Sequence, residues 1–113
     1  MELLDLMASR RSIRKYTDEE IPEEKLTKIL QAALLAPTSM GKQPWEYYVI
    51  KDRELLQKLS KAKAHGGDAE QNVRDILGVQ LPWRCVGIMA LGMPAEEKEA
   101  YSLDELKWEK VHK

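Results

Sequence analysis

Only two stretches of this chain, residues 45–50 and 84–91, have the aromatic, β-branched and apolar make-up of β-strands, against several segments whose apolar residues fall at helical spacing. That scarcity of strands constrains the fold more than any other feature. A two-stranded sheet is marginal in water on its own. Either the helices carry nearly all the core, or the strands find partners on another chain, which implies an obligate dimer. The expected class is α+β, helix-rich with a small sheet. With 113 residues there is room for one compact domain, so 1–113 reads as a single domain.

The helical signals are specific. Leu3, Leu4, Leu6 and Met7 begin a short helix that gives way to an alternating, extended stretch over residues 12–16. Pro22 suits a first helical position, Glu23 and Glu24 favour the positive end of the dipole, and Leu26, Ile29, Leu30, Ala33 and Leu34 form one stripe. Pro37 stops that helix. Asp52 is placed to cap a helix bearing Leu55, Leu56, Leu59 and Ala62. His65, Gly66 and Gly67 break it, and a shorter helix over 68–77 ends at Gly78. Ser102 and Glu105 have the spacing of a capping box for a last helix with Leu103, Leu106 and Val111 on its apolar side.

Charge and composition exclude several functions. The 18 basic residues against 19 acidic ones give a net charge of −1, which argues against a globally basic nucleic-acid binder. Cys85 is the single cysteine, so an internal disulfide and a cysteine-rich zinc site are excluded; as a small hydrophobe on an apolar strand it reads as a packing residue. His65 and His112 are too few for most histidine metal sites, and no P-loop or dinucleotide glycine pattern is present. Apolar runs are short, and Glu2 and Asp5 lie in the first ten residues. Neither a spanning helix nor a secretion signal is expected, and the reading is a cytoplasmic protein without membrane contact.

Two segments could carry chemistry. Four of the six residues from 10 to 15 are basic (Arg10, Arg11, Arg14, Lys15), with Ser12 among them and Tyr16 next in the chain. Guanidinium groups present paired donors that match a phosphate, and a hydroxyl adds another, so the segment can serve as an anion cradle. The same residues can equally be a solvated cluster balanced by Asp18, Glu19 and Glu20. The second segment is the loop 36–45, stiffened by Pro37 and Pro44 and opened by Gly41. Thr38, Ser39 and Gln43 offer hydroxyl and amide groups able to read the polar edge of a planar heterocycle. The plainer reading is a helix-to-strand connection anchored by Trp45. Trp45, Trp83 and Trp108 read as core or interface residues before flavin-stacking ones.

Taken together, the stretch SRRSIRKYTDEEIPEEKLTKILQAALLAPTSMGKQPWEYYVI, the VRDILGV of residues 73–79, the VGIMALGMPAEEK of 86–98 and the SLDEL of 102–106 resemble the nitroreductase family. The resemblance implies an α+β homodimer holding FMN at the subunit interface. It further implies electron transfer from NADH or NADPH to a small acceptor such as a nitroaromatic, a quinone or a free flavin, by ping-pong exchange at one flavin face. By position, Arg10 and Ser12, with Arg11 beside them, would hold the phosphate or ribityl end of FMN. Arg14 would stand near the pyrimidine edge, where a cation stabilises the charge left by hydride addition. Thr38 and Ser39 match the loop that crosses to the partner's flavin, and Gln43 matches its amide. No protein nucleophile or metal is called for. Gly41 stands where the family motif has Asn, and Glu99-Ala100-Tyr101 stands where basic phosphate contacts are usual, leaving Lys98 as the nearby cation. The chain also passes through residues 64–68 where a typical member carries further strands and a long dimer-core helix. The alternative reading is a non-catalytic remnant acting as a dimerisation or protein-interaction module. A nucleic-acid contact through RRSIRK is a third and weaker one.

Overall fold

The computed structural model describes residues 2–63 and 66–113. Ala64 and His65, where the first of the two central helices was expected to break, lie outside the described residues. The chain divides into two compact units, Met1–Leu34 with Leu91–Lys113, and Leu35–Ala90.

The first unit contains α1 (Leu3–Ser9) and α2 (Glu23–Leu34). α1 ends where the Ser9 hydroxyl donates to the Leu6 carbonyl at 2.7 Å and Arg10 turns extended. α2 starts as the sequence predicts: the Pro22 carbonyl accepts the Leu26 N–H at 3.0 Å, and Glu23 and Glu24 occupy the first turn. Within its stripe only Leu26 is buried; Leu30 and Ala33 are half-buried, and Ile29 and Leu34 are exposed. Residues 12–16 are extended, and the later part of the chain runs back along them. Thr17 N–H donates to the Met93 carbonyl and Ala95 N–H to the Lys15 carbonyl, each at 2.8 Å, and Tyr101 N–H to the Ala8 carbonyl at 2.9 Å. Tyr16 and Pro94 form an antiparallel bridge.

The second unit is built on α3 (Arg53–Lys63) and α4 (Ala69–Leu77). Leu59 and Ala62 of α3 pack on Val73 of α4, with Ile50, Leu55, Ile76, Leu77 and Cys85 around them, so Cys85 is a packing residue as expected. Asp52 caps α3: its Oδ1 accepts the N–H of Glu54 at 2.9 Å and of Leu55 at 3.3 Å. Gly78 closes α4 in the left-handed region (φ 70°), and Val79 N–H reaches the Arg74 carbonyl at 2.9 Å. Glu70 ties α4 to the segment after it, accepting from Arg74 Nε at 2.8 Å and from Cys85 N–H at 3.0 Å.

Two expectations need correction. Residues 45–50 and 84–91 join no ladder among the described residues, where the Tyr16–Pro94 bridge is the β-type pairing present. A strand is stable only when its backbone groups are paired, and these two stretches do not pair with each other. Their apolar side chains are correspondingly open: Tyr48 is 54% exposed, Ile88 52% and Val86 98%. Trp45 is likewise exposed rather than a core anchor. The last helix is also absent. Ser102 does cap, its Oγ accepting the Asp104 N–H at 3.2 Å, but the chain beyond it makes only two short 3-10 turns, Leu103–Glu105 and Trp108–Lys110. Leu103, Leu106 and Val111 are all exposed, and a short helix with nothing to pack against is marginal.

Candidate functional site

The arginine segment is held in place by the stretch that returns along it. Arg11 is half-buried; its Nη1 donates to the Glu99 carbonyl and its guanidinium lies 4.3 Å from the centroid of the Tyr101 ring. Its Nε is buried and has no acceptor among the described residues. Lys98 Nζ donates to the Ser12 carbonyl at 2.5 Å and lies 3.6 Å from Glu96 Oε1. The same Glu96 oxygen accepts the Arg14 N–H at 2.8 Å. That hydrogen bond, reinforced by the Lys98 charge, holds the Glu96 carboxyl below the usual carboxylate range against the opposing cost of its partial desolvation.

The side chains that remain open are those suited to a ligand. Arg10, Ser12 and Arg14 are exposed, and neither their guanidinium groups nor the Ser12 hydroxyl makes a hydrogen bond or close ion pair with a described residue. The Arg10 guanidinium, the Ser12 hydroxyl and the Arg14 guanidinium, which feels the Glu96 charge without bonding to it, lie within five residues and can bind an anion, and the orphaned Arg11 Nε is a further donor in want of an acceptor. The segment is fixed at its backbone by residues of the returning stretch, while its exposed side chains suit a ligand cradle and a solvated cluster alike. Lys98 lies beside Ser12, but Glu96, Glu99 and Tyr101 are supporting residues that sequence reasoning missed. Their contacts join residues more than 80 positions apart, as Glu96 to Arg14 and Glu99 to Arg11 do, so no local spacing signalled them.

In the other unit, Thr38, Ser39 and Gln43 are brought together by their own loop. Thr38 Oγ1 accepts the Gln43 N–H at 3.1 Å, closing a turn over Ser39–Gly41. Met40 (φ 56°), Gly41 (φ 66°) and Gln43 (φ 42°) all lie in the left-handed region. Two of these are not glycine, and such conformations cost on the order of 1 kcal/mol or more each. Thr38 is half-buried and engaged in the turn, whereas Ser39 is exposed. Met40, next in the chain, is 85% exposed.

Among the described residues no group of His, Cys, Asp and Glu could hold a metal ion, and no helix is long and apolar enough to cross a membrane.

The nitroreductase family's sequence profile matches residues 7–71, a span that contains every one of these ligand candidates. A provisionally named NADH dehydrogenase/NAD(P)H nitroreductase of Archaeoglobus fulgidus is 48% identical over 65 residues, 58% of this chain and 37% of that protein. An NADH dehydrogenase of Thermus thermophilus is 40% identical over 63 residues, 53% of this chain and 31% of that one. The matched stretch thus spans about a third of the length of these curated relatives. In structure, an FMN-dependent nitroreductase from Clostridium difficile R20291 superposes with a TM-score of 0.87 at 28% identity, covering 97% of this chain and 98% of that one. The chain belongs to the nitroreductase family and has a nitroreductase-like fold. A bare interaction module is not favoured by these likenesses.

Proposed function

We propose that this protein is an FMN-dependent oxidoreductase that takes electrons from NADH or NADPH and passes them to a small electron-poor acceptor, a nitroaromatic, a quinone or a free flavin. The observation that carries the reading is the arginine segment, braced through its backbone while Arg10, Ser12 and Arg14 stay open to a ligand. The relatives named as NAD(P)H nitroreductases and the FMN-dependent structural neighbour support the same reading.

The residues present fit an anionic flavin. Arg10 and Ser12 would hold the phosphate or ribityl end, and the buried Arg11 Nε would gain an acceptor there. Arg14 would place positive charge at the pyrimidine edge of the ring system. FMN, when bound, supplies acceptance of a hydride from the nicotinamide and its delivery to the acceptor. The protein binds, orients and stabilises charge, and needs no nucleophile of its own.

The same reading calls for a homodimer. Val86 is 98% exposed, Met89 82% and Tyr48 54%, and obligate partners bury apolar side chains of this kind. A second chain would cover the open apolar stretches 45–50 and 84–91, and Thr38, Ser39 and Gln43 would then serve the partner's flavin.

The test is steady-state oxidation of NADH and NADPH by FMN-loaded protein with a quinone and with a nitroaromatic acceptor. Turnover with at least one pair is expected. Fully loaded protein that oxidises neither nicotinamide with any acceptor overturns the proposal.

A further inference from the structure

The contacts between residues 96–101 and the arginine segment fall on particular groups. Glu96 takes the N–H of Arg14, and Lys98 takes the carbonyl of Ser12; both are backbone groups of the segment. The Glu99 carbonyl and the Tyr101 ring take the one arginine side chain, that of Arg11, which is half-buried. Arg10, Ser12 and Arg14 keep their side chains. This is the arrangement of a brace, which fixes where side chains start from without competing for what they bind. Glu96 is its centre, since one oxygen both accepts the Arg14 N–H and stands 3.6 Å from Lys98.

Resting on the flavin reading above, we propose that Glu96 is a positioning residue: its carboxylate oxygen, by accepting the Arg14 N–H, sets the arginine segment for the flavin without touching it. Lys98 completes the clamp one residue pair away, at Ser12. Because Glu96 holds the backbone at Arg14 itself, its loss affects the ring-facing Arg14 at least as much as the phosphate-facing Arg10. A residue that worked on the phosphate itself would behave differently. Riboflavin, which has the ring and ribityl chain but no phosphate, separates the two cases.

The experiment measures the affinity of the full chain for FMN and for riboflavin by flavin fluorescence, in wild type and in Glu96→Ala, Glu96→Gln and Arg10→Ala. Glu96→Ala is expected to weaken both flavins by a similar factor, about tenfold, through lost positioning. Glu96→Gln keeps an acceptor oxygen for the Arg14 N–H and is expected to recover most of that loss. Arg10→Ala should weaken FMN more than riboflavin. Weakening of FMN alone by Glu96→Ala, unchanged binding of both, or a Gln variant as weak as the Ala variant each overturns the proposal. Hydrogen exchange at the Arg14 amide of wild-type protein serves if Glu96→Ala does not fold: slow exchange before flavin is added is expected, and exchange at the solvent rate overturns the brace. Wild-type protein that binds neither flavin, with a slow Arg14 amide, overturns the flavin reading and leaves the contact as a structural one only.

Discussion

The Tyr16 ring lies against Gly92 with no room for a side chain between them: a Cβ on the glycine would stand 2.7 Å from Tyr16 Cδ1 and 3.2 Å from Cγ. The ring cannot easily yield, because Tyr16 pairs with Pro94 through its backbone and its hydroxyl donates to the Ile13 carbonyl at 2.9 Å. Gly92 is thus what lets the returning stretch approach the arginine segment. Gly92→Ala should destabilise the protein by about 1–3 kcal/mol through overpacking, read as a lower urea midpoint. An unchanged midpoint would mean that the two stretches are not packed as described.

Asp52 is a second point at which one side chain governs an element. Its carboxylate is the acceptor for two N–H groups in the first turn of α3. Asp52→Ala should cost about 0.5–2 kcal/mol, the usual effect of losing such a cap, and Asp52→Asn should recover much of it. Equal loss in both variants would assign the effect to something other than the hydrogen bonds.

Acid should loosen both units. The Glu70 carboxyl is held below the ordinary glutamate value of 4.5 chiefly by its hydrogen bond from Arg74, then by the Cys85 N–H. Glu96 is held below it chiefly by the Arg14 N–H. A carboxyl with a lowered value in the folded state adds stability that is fully present above about pH 4.5, and that is lost as pH falls through the lowered value. The melting temperature should therefore drop below about pH 4.5, and the drop should be smaller in Glu70→Gln. A variant with the same acid profile as wild type would contradict the assignment.

The legible part of this fold was the part decided locally. Pro22 with its two glutamates, the Asp52 cap and the Gly78 cap each fix a helix end through neighbours in sequence, and the helices stand where those residues put them. The illegible part depended on partners. The aromatic, β-branched and apolar make-up of 45–50 and 84–91 suits a sheet, but it contains no information about whether a pairing strand exists in the same chain. The Ser102–Glu105 box likewise signals a helix start, while the open Leu106 and Val111 show that nothing there sustains a helix. For the site, Arg10 to Arg14 declared itself through charge. Glu96, on a stretch far along the chain, could not, because sequence spacing is silent about which stretch returns to which.

The exposed apolar residues make a prediction about assembly. Purified protein should sediment or scatter as a species of twice 13.0 kDa, with no detectable monomer at micromolar concentration. Replacing the 98% exposed Val86 by Lys should shift it toward monomer and lower its stability together. A stable, well-folded monomer would contradict the dimer and require the open stretches to be covered in some other way.

The most direct measurement is a visible absorption titration of the purified full chain with FMN, followed by removal of the excess. The account predicts a retained flavin spectrum near one FMN per chain, weakened in Arg10→Ala and Arg14→Ala. A protein that stays colourless after loading would contradict it.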